Sequence, residues 1–128
     1  MISQENPDAV VICTPPGTHA RLVTTALEAG THVLVEKPMA LTPEDCQKMI
    51  DVSIASGKKL GVMHNQVFNP AFDKTCSLVS QGAIGRFLGM RIFLMTSVHD
   101  MTKYQDHWSH KLPGGMAGET APHAVYMS

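Results

Sequence analysis

Two short stretches of polar and titratable residues each follow an apolar run of strand length. Thr14-Pro15-Pro16-Gly17-Thr18-His19 comes after the first run, and Glu36-Lys37-Pro38 comes after the second. A glycine-containing loop that opens a helix offers free backbone N–H groups, which favour an anion or a polar ligand. Proline restricts the backbone beside Lys37, and the Lys37-Pro38 bond is a candidate for the cis form. The alternatives are a plain turn at Pro-Pro-Gly and a solvated lysine.

Alternating strand and helix patterns place both stretches at one edge of a sheet. Residues 9–14 and 32–36 are apolar runs rich in β-branched residues, which is typical of strands buried on both faces. Helical periodicity joins them and recurs before a third strand at residues 60–63. We therefore predict a β-α-β-α-β unit with parallel strands and right-handed crossovers. Ligands of such open sheets bind outside the carboxyl ends of the strands.

Residue preferences mark the ends of the two helices that join these strands. Thr18 and Thr42 are suited to be their N-caps, because a hydroxyl oxygen can accept a hydrogen bond from a free backbone N–H. Gly30 and Gly57 are suited to end them, because glycine adopts the left-handed conformation without strain. The first half of the chain is therefore predicted in detail.

The pattern changes after residue 65. Asn69-Pro70 predicts the start of a third helix. Residues 86–95 favour a longer strand, which is typical of an antiparallel sheet. Residues 96–118 favour a loop, because glycine and proline cluster near their end, and residues 119–128 favour the start of another helix.

Composition restricts the class of protein. The 128 residues are 44% apolar and 16% charged, a balance that suits a buried core. A net charge of −1 without a basic run argues against nucleic acid or an anionic membrane as a partner. No membrane span or signal peptide is evident. Cys13, Cys46 and Cys76 form no CxxC pair, which predicts reduced, mostly buried thiols in a cytoplasmic protein.

The order and spacing of these blocks resemble a known enzyme family. The blocks that carry the resemblance are Val10-Val11-Ile12-Cys13-Thr14-Pro15-Pro16-Gly17-Thr18-His19, a helix ending at Ala29-Gly30, and His32-Val33-Leu34-Val35-Glu36-Lys37-Pro38-Met39-Ala40. Asn69-Pro70, and Gly114-Gly115 followed by Pro122-His123, extend the match over nearly the whole chain. The family is the glucose-fructose oxidoreductase / inositol dehydrogenase / MocA family.

The resemblance implies two partial domains. Residues 1–68 would be the C-terminal half of a doubly wound parallel, Rossmann-type NAD(P)-binding domain. Residues 69–128 would begin an α+β antiparallel-sheet domain for substrate binding and dimerisation, which implies a homo-oligomer. The sequence contains no GxGxxG motif for the cofactor pyrophosphate, so we expect a fragment that is inactive alone.

The resemblance also implies an NAD- or NADP-dependent oxidoreductase that acts on a sugar, a polyol or a related hydroxyl compound. Lys37 would contact both cofactor and substrate, and His123 would exchange a proton with the substrate hydroxyl. Glu119 stands where the family usually has Asp, and its extra methylene shifts the carboxylate in a site where reach matters. The residues assigned to the cofactor are Thr14, Pro15, Glu36, Lys37 and Pro38, with His19 as a further candidate.

These residue types suit the oxidation of a secondary alcohol. The cofactor takes the hydride, a histidine accepts the hydroxyl proton near neutral pH, and an ammonium group stabilises the developing alkoxide. Lys37 and His123 are far apart in the sequence, so only the fold can bring them together. The alternative is a non-catalytic binding or assembly protein that keeps the same fold.

A group of metal-binding side chains lies in the predicted loop. Its members are His99, Asp100, Asp106, His107 and His110. They raise the alternative of a metal-dependent hydrolase, but Trp108 interrupts them and no HExxH or other recognised ligand spacing is present. We therefore predict no metal and, following the resemblance, a loop that contacts the substrate.

Overall fold

The computed structural model describes residues 2–93, 108–112 and 114–128. The chain divides into two units, Met1–Met63 and His64–Ser128. The elements of the first unit are α1 (Ile2–Glu5), β1 (Ala9–Ile12), α2 (His19–Glu28), β2 (His32–Glu36), α3 (Pro43–Ser56) and β3 (Leu60–Met63). The second unit contains α4 (Pro70–Ser80) and α5 (Gly115–Tyr126). Short 3₁₀ helices are found at Pro16–Thr18, Asn65–Phe68 and Trp108–Lys111.

The three strands form one parallel sheet in the order β1-β2-β3. Val10 of β1 pairs with Val33 of β2, and Val35 of β2 pairs with Val62 of β3. Parallel neighbours need a long crossover between them, which α2 and α3 provide. The predicted β-α-β-α-β unit is confirmed, and its three strands end at the same edge of the sheet.

The core lies on the face of the sheet against which α2 packs, and α2 in turn packs against α3. Val33 and Val35 alternate with half-buried neighbours along β2. Leu27 of α2 and Met49 of α3 have no exposed surface. The prediction that the strands are buried on both faces is wrong for β1. Val11 is 65% exposed, because side chains alternate along a strand and the described residues leave this side of β1 uncovered.

The ends of α2 and α3 follow the sequence signals with one exception. Gly30 has φ 84° and Gly57 has φ 66°, so each helix ends at a left-handed glycine as predicted. Thr18 precedes α2 but its side chain does not cap the helix. Its hydroxyl instead donates to the carbonyl of Pro15 at 2.8 Å, because the intervening 3₁₀ turn brings that oxygen within reach.

Thr42 is the N-cap of α3, as predicted. Its Oγ1 accepts a hydrogen bond from the backbone N–H of Asp45 at 3.1 Å. Thr42→Ala is expected to lower the free energy of unfolding by about 1 kcal/mol, because that N–H loses its acceptor. Thr42→Ser keeps the hydroxyl and should stay within about 0.5 kcal/mol of the wild type. Urea unfolding followed by circular dichroism measures both, and equal losses would contradict the capping role.

The second unit confirms one predicted helix and corrects two other expectations. Asn69 Oδ1 accepts a hydrogen bond from the N–H of Ala71 at 2.9 Å, so α4 starts where predicted. The helix expected from residue 119 begins earlier, at Gly115. No strand is found over residues 86–93, because none of the described residues pairs with them and a strand needs such a partner. Residues 94 and 95 lie outside the described part of the chain.

No helix in the described part of the chain has both the length and the apolar character needed to span a membrane.

The prediction that the cysteines are mostly buried is wrong. All three are free thiols, but Cys13 and Cys76 are exposed and Cys46 is half-buried. Cys13 is the residue directly after β1, at the carboxyl end of the strand. Cys76 lines an open apolar groove with Phe72 and Val79 of α4. Apolar character therefore does not ensure burial where the described residues leave a surface uncovered.

Burial is the largest influence on the pKa of the Cys46 thiol and raises it. A hydrogen bond to the backbone of Ala40 opposes the rise, and the negative charge of Asp45 adds to it. A raised pKa lowers the thiolate fraction at neutral pH, and the thiolate is the reactive form. Iodoacetamide is therefore expected to alkylate Cys46 more slowly than Cys13 or Cys76, with the difference shrinking as the pH rises. Peptide mass spectrometry measures the three rates. Alkylation of Cys46 at neutral pH as fast as that of Cys13 would contradict this expectation.

Candidate functional site

The candidate site lies where β1 and β2 end. Because the two strands are parallel neighbours, the loop over residues 13–18 and the segment that starts at Lys37 leave the sheet at the same edge. One side chain joins them. The imidazole of His19 has Nε2 2.8 Å from the carbonyl oxygen of Thr14 and Nδ1 2.9 Å from that of Pro38. The two stretches that the sequence marks as candidate binding loops are therefore neighbours.

Thr14 and Pro15 form the exposed rim of the loop after β1. The hydroxyl of Thr18 donates its single hydrogen to the carbonyl of Pro15, so the 2.6 Å contact between the Thr14 and Thr18 hydroxyls has Thr14 as the donor. These bonds fix the loop from inside and leave the outer surfaces of Thr14 and Pro15 accessible to a ligand.

Glu36, Lys37 and Pro38 are half-buried at the end of β2. The backbone N–H of Lys37 donates to Glu36 Oε2 at 3.2 Å, so the carboxylate folds back along the chain. The Lys37–Pro38 peptide bond is cis, as the sequence suggested. Lys37 lies at the edge of the sheet where open parallel sheets bind their ligands.

The candidate residues of the second unit lie on α5. Glu119 and His123 are four positions apart, which places the two positions on one face of the helix. His123 is half-buried. Three residues after His123, Tyr126 stacks on His64, with ring centroids 3.7 Å apart and planes inclined by 6°. The contact joins residues that are far apart in the sequence, so no local sequence signal predicts it.

Lys37 belongs to the first unit and His123 to the second, so their meeting at one reacting centre stays a prediction.

Most residues of the alternative metal site fall in the part of the chain that is not described. His99, Asp100, Asp106 and His107 lie outside the described residues, and His110 is exposed. Over residues 2–93, 108–112 and 114–128, no three His, Cys, Asp or Glu side chains gather as metal ligands would.

The residues after β1 and β2 fit one part of a dinucleotide site. An exposed rim of Thr14 and Pro15 adjoins the half-buried Glu36 and Lys37 at the ligand-binding edge of a parallel sheet. The 128 residues contain no GxGxxG motif, so the fit concerns these two segments and not a pyrophosphate-binding turn.

Parallel strands joined by helices, with the candidate loops at the carboxyl edge, define a Rossmann-like α/β fold. The model of a family described as an oxidoreductase family with an NAD-binding Rossmann fold matches residues 1–64. The chain belongs to this family, the Gfo/Idh/MocA oxidoreductases. The family that the sequence resembled and its NAD-binding character are thereby confirmed.

Similar proteins are much longer than this chain. A 1-carboxy-3-chloro-3,4-dihydroxycyclohexa-1,5-diene dehydrogenase of Comamonas testosteroni is 36% identical over 94% of this chain and 31% of its own length. The WlbA dehydrogenase of Bordetella pertussis, solved with NADH and UDP-GlcNAcA, is 35% identical with a TM-score of 0.63, over 67% of this chain and 26% of that chain.

Myo-inositol 2-dehydrogenase of Lactobacillus plantarum has a TM-score of 0.88 over 99% of this chain and 38% of that chain. At 23% identity this likeness shows the fold alone. This chain therefore spans less than two-fifths of the length of each of these three proteins.

Proposed function

We propose that this chain carries residues of the reacting centre of an NAD(P)-dependent oxidoreductase that acts on a hydroxyl group of a sugar, a polyol or a related small molecule. The observation that supports the proposal most is the contact of both candidate loops with His19. It holds the segment of Lys37 next to the exposed rim of Thr14 and Pro15. A cationic group beside an accessible polar loop, at the carboxyl edge of a parallel sheet, suits a substrate that is bound against a dinucleotide.

The proposed roles follow from the chemistry of each side chain. Bound nicotinamide supplies the acceptor for the hydride that leaves the substrate carbon. His123 accepts the proton of the hydroxyl, and Lys37 stabilises the negative charge that develops on the oxygen. The loss of one hydride and one proton converts the alcohol into a carbonyl compound.

The remaining site residues bind and orient. Thr14, Pro15 and Pro38 line the cofactor, and Glu36 accepts a hydrogen bond from its ribose. Glu119, one helical turn before His123, accepts a hydrogen bond from a further hydroxyl of the substrate. A carboxylate suits this role because sugars and polyols present several hydroxyl donors.

The proposal is tested by turnover in the protein that carries this chain. NAD⁺ and NADP⁺ are supplied separately with myo-inositol, with free sugars and with a nucleotide-linked sugar, and the absorbance of the reduced nicotinamide is followed. We expect reduction that depends on one of the hydroxyl compounds. Calorimetric titration with NADH and NADPH accompanies the assay. Cofactor binding without turnover on any compound would instead favour the non-catalytic binding role, and no binding by folded protein would contradict both.

Self-association through the region after α4 is a separate proposal. Phe87, Leu88 and Phe93 are 52%, 82% and 79% exposed, so this segment presents apolar side chains that another surface could cover. We propose that these apolar side chains form part of the contact between copies. Sedimentation velocity of the protein that carries this chain should then show a species larger than a monomer. A monomer at all concentrations would contradict the proposed self-association.

A further inference from the structure

His19 is the first residue of α2, and its side chain has no exposed surface. Each ring nitrogen faces a backbone carbonyl oxygen, Nε2 that of Thr14 at 2.8 Å and Nδ1 that of Pro38 at 2.9 Å. Thr14 belongs to the loop after β1 and Pro38 to the segment after β2. The ring therefore spans the gap between the two loops that form the candidate site.

Both partners of the ring are hydrogen-bond acceptors. A carbonyl oxygen cannot donate, so each ring nitrogen must carry a hydrogen if both contacts are hydrogen bonds. Neutral imidazole has only one N–H and would leave a nitrogen lone pair facing a carbonyl lone pair. Only the doubly protonated ring satisfies the geometry, and two charge-assisted hydrogen bonds offset part of the cost of burying its charge.

The position of this ring differs from that of an ordinary core histidine. The apolar core of the first unit consists of residues such as Val23, Leu27 and Val35, whereas both partners of His19 belong to segments that carry candidate site residues. Pro38 directly follows Lys37, so a displacement of the Pro38 carbonyl also displaces the backbone from which the ammonium group extends. A substitution of His19 can thus alter the position of Lys37 without any contact between His19 and a ligand.

We propose that His19 is a positioning residue whose doubly protonated ring ties the Thr14 carbonyl to the Pro38 carbonyl and so fixes Lys37 relative to the rim of Thr14 and Pro15. The consequence for catalysis rests on the proposed function, whereas the double hydrogen bond does not. The predicted role of His19 in cofactor binding thereby becomes indirect, because the buried ring acts through the backbone of the two loops.

The double hydrogen bond is tested by nitrogen-15 NMR of the chain with labelled histidine, at neutral pH and without cofactor. We expect two slowly exchanging ring N–H signals from His19, because both hydrogens are buried and bonded. His32 is the internal control. Its Nδ1 accepts a hydrogen bond from the backbone N–H of Lys59 at 2.9 Å, so that nitrogen should show no N–H. A single slowly exchanging N–H from His19 would overturn the proposal.

The positioning role is tested in the protein that carries this chain, under conditions in which each variant is shown to be folded. Glutamine donates only from its amide nitrogen, so it cannot bond both carbonyls as the ring does. His19→Gln should therefore lower kcat about tenfold or more, because small displacements at a reacting centre are costly. His32→Gln, at the opposite edge of the sheet, should leave kcat within about twofold. Unchanged kcat in folded His19→Gln would overturn the positioning role. Absence of turnover in the wild type would instead count against the proposed function and leave the NMR result standing.

Discussion

Lys37→Met is expected to lower kcat about 100-fold to 1000-fold in the protein that carries this chain, because it removes a cation that stabilises the developing alkoxide. Methionine keeps an unbranched side chain of similar length, so the packing of the half-buried stem changes little.

His123→Asn is expected to lower kcat by about 100-fold or more, because asparagine cannot accept the hydroxyl proton. Steady-state kinetics with the best hydroxyl substrate measures both effects.

A matched control variant distinguishes the loss of a catalytic cation from the general effect of removing one positive charge. Lys59 is exposed and directly precedes β3, at the edge of the sheet opposite the candidate site. Lys59→Met removes the same charge and should leave kcat within about twofold of the wild type. Urea unfolding should show that none of the three variants loses a large part of its stability. Near wild-type kcat in both Lys37→Met and His123→Asn would show that the reacting centre lies elsewhere.

Leu27→Ala is expected to lower the free energy of unfolding by about 3 kcal/mol. Leu27 lies on α2 with no exposed surface and belongs to the same apolar cluster as Val35 and Met49. The loss combines the transfer free energy of the deleted atoms with the cavity that they leave. Its size is a large fraction of the stability of an ordinary domain, so the variant should unfold at a clearly lower urea concentration.

Ile54→Ala is the matched control for that experiment. Ile54 of α3 is 74% exposed, so deleting three carbon atoms there removes little buried surface and should change the free energy of unfolding by less than about 0.5 kcal/mol. A similar loss in both variants would contradict the packing that places Leu27 in the core.

Local signals predicted the elements that position the candidate site. The apolar runs predicted parallel strands, and Thr42 and Gly57 marked the ends of α3 correctly. Asn69 marked the start of α4 in the same way. These signals succeed because caps and left-handed glycines act within a few residues, where the sequence alone specifies the hydrogen bond.

Predictions of burial and pairing were less successful. Val11 and Cys13 are exposed although they belong to an apolar run, because burial depends on what covers the other face of β1. Residues 86–93 have strand-like composition but no strand partner among the described residues. Strand pairing requires a second segment, so strand propensity alone does not determine it.

The sequence by itself determined the family, the order of strands and helices from β1 to β3, and the residue types of the candidate site. The tertiary structure decided that the loops after β1 and β2 are joined, and that His19 joins them through both ring nitrogens. His19 and Pro38 are separated by a helix and a strand, so no local pattern records their contact. Such a contact exists only when parallel pairing brings the ends of β1 and β2 to the same edge of the sheet.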